Sequence, residues 1–142
     1  MTATLAVKGN TRLDVNRATA WTHPALIRRY CADFDQTPVE GERCFTAFKQ
    51  FLVVCALAHD ERVPSRPIDD MWHTALLFSR SYLQFCEEVL GEVVHHEPIE
   101  GTADVAAYAA AREDALALFG ELPVAYWPEP GAAMLCGSMY VP

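Results

Sequence analysis

Residues 63–98 read VPSRPIDDMWHTALLFSRSYLQFCEEVLGEVVHHEP, and the period of their apolar residues decides the fold. Ser65 stands where a helix cap belongs. Pro67, Asp69 and Asp70 suit a first turn, where a missing N–H costs little and negative charge meets the positive end of the helix dipole. Ile68, Trp72, Ala75, Leu76, Ser79, Tyr82, Leu83, Cys86 and Leu90 then fall on one broad stripe. The spacing predicts a single helix that opens after Ser65, runs to Leu90 and stops at Gly91. Asp69, His73, Arg80, Gln84 and Glu87 share a flank, so Trp72 is expected to be buried and His73 to sit at a border. Glu92 to Pro98 reads as an extended segment in which His95 and His96 point to opposite sides.

Working outward, Thr22-His23-Pro24 places a capping residue ahead of a helix-opening proline. Leu26, Ile27, Tyr30, Cys31 and Phe34 follow at helical spacing, giving a helix over Pro24–Asp35. Phe45, Phe48, Phe51, Leu52, Cys55 and Ala56 recur at three and four and predict a second helix over Glu42–Ala58, with Lys49 and Gln50 on its wet side and His59 at its end. An alanine-rich helix is expected over Ala103–Phe119, with Val105, Tyr108, Ala109, Arg112, Leu116 and Phe119 as its stripe and Gly120 as its stop. The expected architecture is all-α: one domain, residues 1–142, of four main helices. Residues 1–22 lack a sustained period and are expected to form a loosely ordered arm. The proline-rich residues 121–142 are expected to form an irregular strap held on the bundle by Tyr126, Trp127, Met134 and Tyr140.

Composition narrows the functional classes. With 142 residues and 51% hydrophobic content, the chain can bury a core without metal or disulfide staples. A formal charge of -8 opposes binding to nucleic acid or to an anionic membrane surface. The longest apolar run, Phe51 to Ala58, is far below the roughly 20 residues of a membrane span. Met1 to Asn10 offers no basic start followed by an apolar run, so no secretory signal is expected. Cys31, Cys44, Cys55, Cys86 and Cys136 are odd in number, scattered and without a C-x-x-C pair, which favours reduced thiols and a cytoplasmic location.

The chemistry-bearing residues gather in the opening stretch. Asp69 and His73, at i and i+4, are neighbours on a helix surface, and a carboxylate there can orient an imidazole. An ordinary exposed acid and histidine have the same spacing, so the pair gains meaning from His95 and His96, about one helix length later. Imidazole is the commonest zinc ligand and also suits iron, copper and nickel. Helix geometry limits the combinations: Cys86 lies about 20 Å beyond His73 on an unbroken helix, and its place on the apolar stripe marks it as core. His73 can share a site with His95 or His96 only if residues 91–94 fold straight back along the helix or the helix breaks. Otherwise the stretch holds two separate features, Asp69 with His73 at one end and His95 or His96 with Cys86 at the other. Cys136, freed by the adjacent Gly137, can approach either end and joins the candidate ligands. The chain carries no glycine-rich phosphate loop, no H-E-x-x-H, and no elbow motif that would make Cys136 a nucleophile.

Val63-Pro64-Ser65, Ile68-Asp69-Asp70-Met71-Trp72-His73, Tyr82, Phe85-Cys86, Gly91 and His95-His96-Glu97-Pro98 together resemble the glycine-rich domain-containing protein-like family, in its short bacterial members that lack the glycine-rich region. The likeness extends more weakly to Phe48–Leu57 and to Cys136-Gly137. It implies a helical domain of unassigned activity. In plant and fungal relatives a second histidine stands two positions after the Trp-His pair, where this chain has Ala75.

The expectation is a small accessory or interaction protein, with a protein as its partner, that binds zinc or another transition metal near His73. The candidate ligands are Asp69, His73, His95, His96 and Cys136. Two alternatives stand beside it: a metal-dependent enzyme in which Asp69 orients His73 and His95 or His96 completes the site, and a metal-free protein-interaction module.

Overall fold

The computed structural model describes residues 9–97 and 104–131. Among these it is helical without a strand: α1 (Val15–Ala20), α2 (Pro24–Phe34), α3 (Pro38–Leu57), α4 (Arg66–Leu77), α5 (Ser79–Phe85), a π-helical turn (Cys86–Leu90) and α6 (Val105–Phe119). The all-α class expected from the apolar spacing is the class observed.

Helix α3 is the axis of the bundle. A reciprocal capping box starts it: the Thr37 hydroxyl accepts from the Glu40 N–H at 3.1 Å, and the Glu40 carboxylate accepts from the Thr37 N–H at 2.8 Å. Phe45, Phe48, Phe51, Leu52, Val53, Val54 and Ala56 are all buried, so α3 is apolar on almost every side and packs against α1, α2, α4, α6 and the π turn. Even Lys49, expected on the wet side, is only 7% exposed; its ammonium donates to the Thr19 and Trp21 carbonyls at 2.8 Å each. Its aliphatic stem lies in the core while its charged head is satisfied by backbone. Gly41 permits the close approach of α2, since a Cβ there would lie 2.4 Å from the Cys31 Sγ.

Of the residues expected to form a loose arm, 1–8 lie outside the described residues, and 9–22 include α1. Asp14 caps α1 by accepting from the Arg17 N–H. The segment then closes the end of the π turn, whose last carbonyls have no partner within their own helix. Asn10 Nδ2 donates to Leu90 O at 2.8 Å, Arg12 Nη2 to Glu87 O at 2.9 Å, and the Asp14 N–H to Val89 O at 2.9 Å. Gly91 ends the turn in the left-handed region at φ 84°, and a Cβ there would lie 2.5 Å from Asn10 Oδ1.

Three expected details change. His23 rather than Thr22 caps α2, its Nδ1 accepting from the Leu26 N–H. Ser65 occupies the cap position of α4 but makes no cap bond; its hydroxyl donates to Tyr126 O at 2.6 Å and pins residues 121–131 to the start of α4. The buried face of α6 is Tyr108, Ala111, Asp114 and Ala115, with Leu116 and Val105 exposed, because Asp114 pairs with Arg62 at 2.9 Å and turns that side inward. Tyr108 donates to Pro128 O and Arg112 to Trp127 O, so the described strap is fixed to α6 as well. Met134, Cys136 and Tyr140 lie outside the described residues.

Candidate metal centre

The predicted single helix over residues 66–90 is divided. Helix α4 ends at Leu77; Phe78 leaves the helical region at φ -100°, ψ 55°, and the chain resumes as α5 at Ser79. No glycine or proline marks this break. It is held by aromatic packing: Phe78 meets the edge of His23 at 5.0 Å between ring centroids, and Phe85 stacks on Trp21 at 4.0 Å and 17°.

The break allows Trp72 and Tyr82 to meet. On an unbroken helix their Cα atoms would be about 15 Å apart along the axis, beyond the reach of a direct bond between the two rings. Here Trp72 Nε1 donates to Tyr82 Oη at 3.0 Å, and Tyr82 Oη in turn donates to Val94 O. The extended segment after Gly91 is thereby turned back toward α4. Burial is the main influence that raises the pKa of Tyr82 and of Cys86 above their ordinary values, so both remain protonated at neutral pH. Cys86 is fully buried and belongs to the core.

This return places His96 against α4. Asp69 is 2% exposed, so its carboxylate requires polar partners. His96 Nε2 lies 2.6 Å from Oδ1, with the imidazole donating, and His73 Nε2 lies 3.6 Å from Oδ2. The two imidazoles stack at 4.6 Å and 29°, and the other face of the cluster is closed by Trp72, 4.2 Å from the His96 ring. Asp69 was expected to orient His73; its tight partner is His96. Asp69 also sits in the first turns of α4, where the dipole favours negative charge.

Of the four candidate ligands among the described residues, the fold brings three together. One ligand atom each from Asp69, His73 and His96 lies within 4.8 Å of the others. His95 is exposed and outside the group, as the alternation of side chains along an extended segment requires. Ala75 is fully buried, about 200° around the helix from His73, so the cluster forms without a histidine at that position. Ligands of a tetrahedral zinc ion stand about 3.3 Å apart, given bonds of about 2.0–2.2 Å. The separations of 2.6 and 3.6 Å straddle this value, and His73, 44% exposed, has room to adjust. Two imidazoles and a carboxylate fit zinc with an open position, and equally the iron(II) facial arrangement.

Beside the cluster lies a cleft of about 230 Å³ between residues 58–64 and 92–97, walled by Trp72 and His96 and rimmed by His59, Asp60, Glu61 and His95. Its place beside the cluster follows from the fold alone, since residues 58–64 carry no motif that announces it.

The fold and cluster define an all-α protein with a candidate Asp/His/His centre on one helix and one returning segment. The chain belongs to the UCP032817-like family, whose model matches residues 21–112 and so includes all three cluster residues. No curated protein matches the chain, and no solved structure matches it.

Proposed function

We propose that this protein binds one divalent transition metal, zinc first among them, through Asp69, His73 and His96, and serves as a small cytoplasmic accessory protein with a protein partner. The observation that carries the reading is the convergence of three ligand atoms within 4.8 Å from segments 27 residues apart, around a carboxylate that is nearly fully buried. The thiols of Cys31, Cys44 and Cys86 favour a reducing compartment, and among the described residues no helix is long and apolar enough to cross a membrane. The resemblance of residues 63–98 to the glycine-rich domain-containing protein-like family falls on the same Trp72-His73 and His95-His96 positions.

Elemental analysis of protein purified without chelator tests the proposal. One equivalent of metal is expected, and none in His73→Ala or His96→Ala; wild-type protein free of stoichiometric metal after zinc titration overturns it. A second reading rests on the 2.6 Å contact itself: His96 and Asp69 form a metal-free clasp that fastens residues 92–97 to α4. The two readings separate at His73, whose loss abolishes metal uptake under the first and changes nothing under the second.

A further inference from the structure

We infer that Tyr82 is the positioning residue of this centre, presenting His96 to Asp69 and so setting the site's affinity for a divalent cation; the affinity part rests on the metal reading above. Its hydroxyl bonds two groups that His96 depends on. By accepting from Trp72 Nε1 it fixes the indole against which the His96 ring lies, and by donating to Val94 O it fixes the backbone two residues before His96. The Cys86 thiol touches the same hydroxyl, and Tyr82 is 2% exposed, so water cannot substitute for it readily.

A tyrosine kept only for packing would be replaced by phenylalanine with little consequence for a site it does not touch. A positioning tyrosine would not. Tyr82→Phe keeps the ring but leaves the indole N–H and the Val94 carbonyl without their partner, loosening the arm that carries His96 although the Cys86 thiol still holds the Val94 backbone. Groups that orient metal-bound histidines typically contribute about 10- to 100-fold in affinity, and a loss of that order is expected here.

The test is competition for zinc against a chromophoric chelator, with the imidazole nitrogen resonances of His96 recorded in metal-free protein. Ser65→Ala is the control, because it removes another buried hydroxyl-to-carbonyl bond, at the strap. Tyr82→Phe should weaken zinc binding about 10- to 100-fold and shift or broaden the His96 resonances while those of His23 hold. Ser65→Ala should lower the melting temperature and leave zinc affinity unchanged. Wild-type affinity and unchanged His96 signals in Tyr82→Phe overturn the inference. If the wild-type protein takes up no zinc, the metal reading and the affinity role fall together, and the His96 resonances alone decide whether Tyr82 positions the arm. Should Tyr82→Phe not fold, Trp72→Phe removes one of the two bonds and is expected to give a smaller, several-fold loss; unchanged affinity and unchanged His96 signals there overturn the inference as well.

Discussion

Helix α3 and residues 66–90 are comparable in length and meet opposite fates: the first stays one helix from Pro38 to Leu57, the second divides at Phe78 and ends in a π turn. The difference lies in their surroundings. Apolar on nearly all sides, α3 has a neighbour wherever it turns, so a bend would only lose contacts. Residues 66–90 have one apolar stripe, and an unbroken course would carry Tyr82 and Phe85 away from Trp72 and Trp21. Bending sacrifices helical hydrogen bonds and gains a tryptophan–tyrosine bond and two aromatic contacts. The regular helix supplies stability, and the broken one supplies the site.

Substitutions can break this comparison at either end. The largest effect is expected at Phe51, fully buried in α3 against Trp72 and Trp127: Phe51→Ala should cost about 3–5 kcal/mol in a denaturant titration. A loss below about 1 kcal/mol would show that α3 is not the axis. At the end of the broken stretch, Gly91→Ala places a Cβ at φ 84° and 2.5 Å from Asn10 Oδ1, and is expected to cost about 2 kcal/mol while disturbing the His96 resonances.

A third prediction concerns alkaline pH. Burial pushes the Cys44 thiol from its ordinary 9.0 to about 12, and Tyr30, Tyr82, Cys86 and Tyr108 are displaced upward by the same cause. A group whose pKa is raised by folding contributes its full stability below its unfolded pKa and loses it as pH climbs toward the folded one. The melting temperature should therefore fall steadily above about pH 9. Lys49, displaced downward chiefly by burial, acts in the opposite sense but is one group against several. A melting temperature that is level from pH 8 to 11 would contradict the burial of these groups. The smallest effect belongs to the exposed edge of the broken stretch: His73→Ala and Leu83→Ala should each change stability by no more than about 0.5 kcal/mol by thermal melting, although the first removes metal uptake.

What was legible in the sequence follows the same division. Helices α2, α3 and α6 and the start of α4 announce themselves through prolines, caps and apolar spacing, all local signals. The break at Phe78 has no such signal, because its cause is aromatic packing against residues more than fifty positions away. Helix periodicity put Asp69 beside His73, and alternation set His95 and His96 on opposite sides; neither could say which of the two returns. The burial of Lys49 and the bond made by Ser65 were illegible for one reason: each is satisfied by a distant backbone carbonyl, a partner that no local pattern encodes.

The clip of Asn10 on Leu90 has a consequence for the order of assembly. That contact joins residues 80 apart in the chain, whereas Asp69 and His96 are 27 apart. Closing the longer loop costs about 1 kcal/mol more in chain entropy, so it is expected to form after the shorter one. The Trp21 and His23 contacts that hold the break also close longer loops than Asp69–His96, so the shorter loop would close first and be fixed in place only when the N-terminal residues arrive.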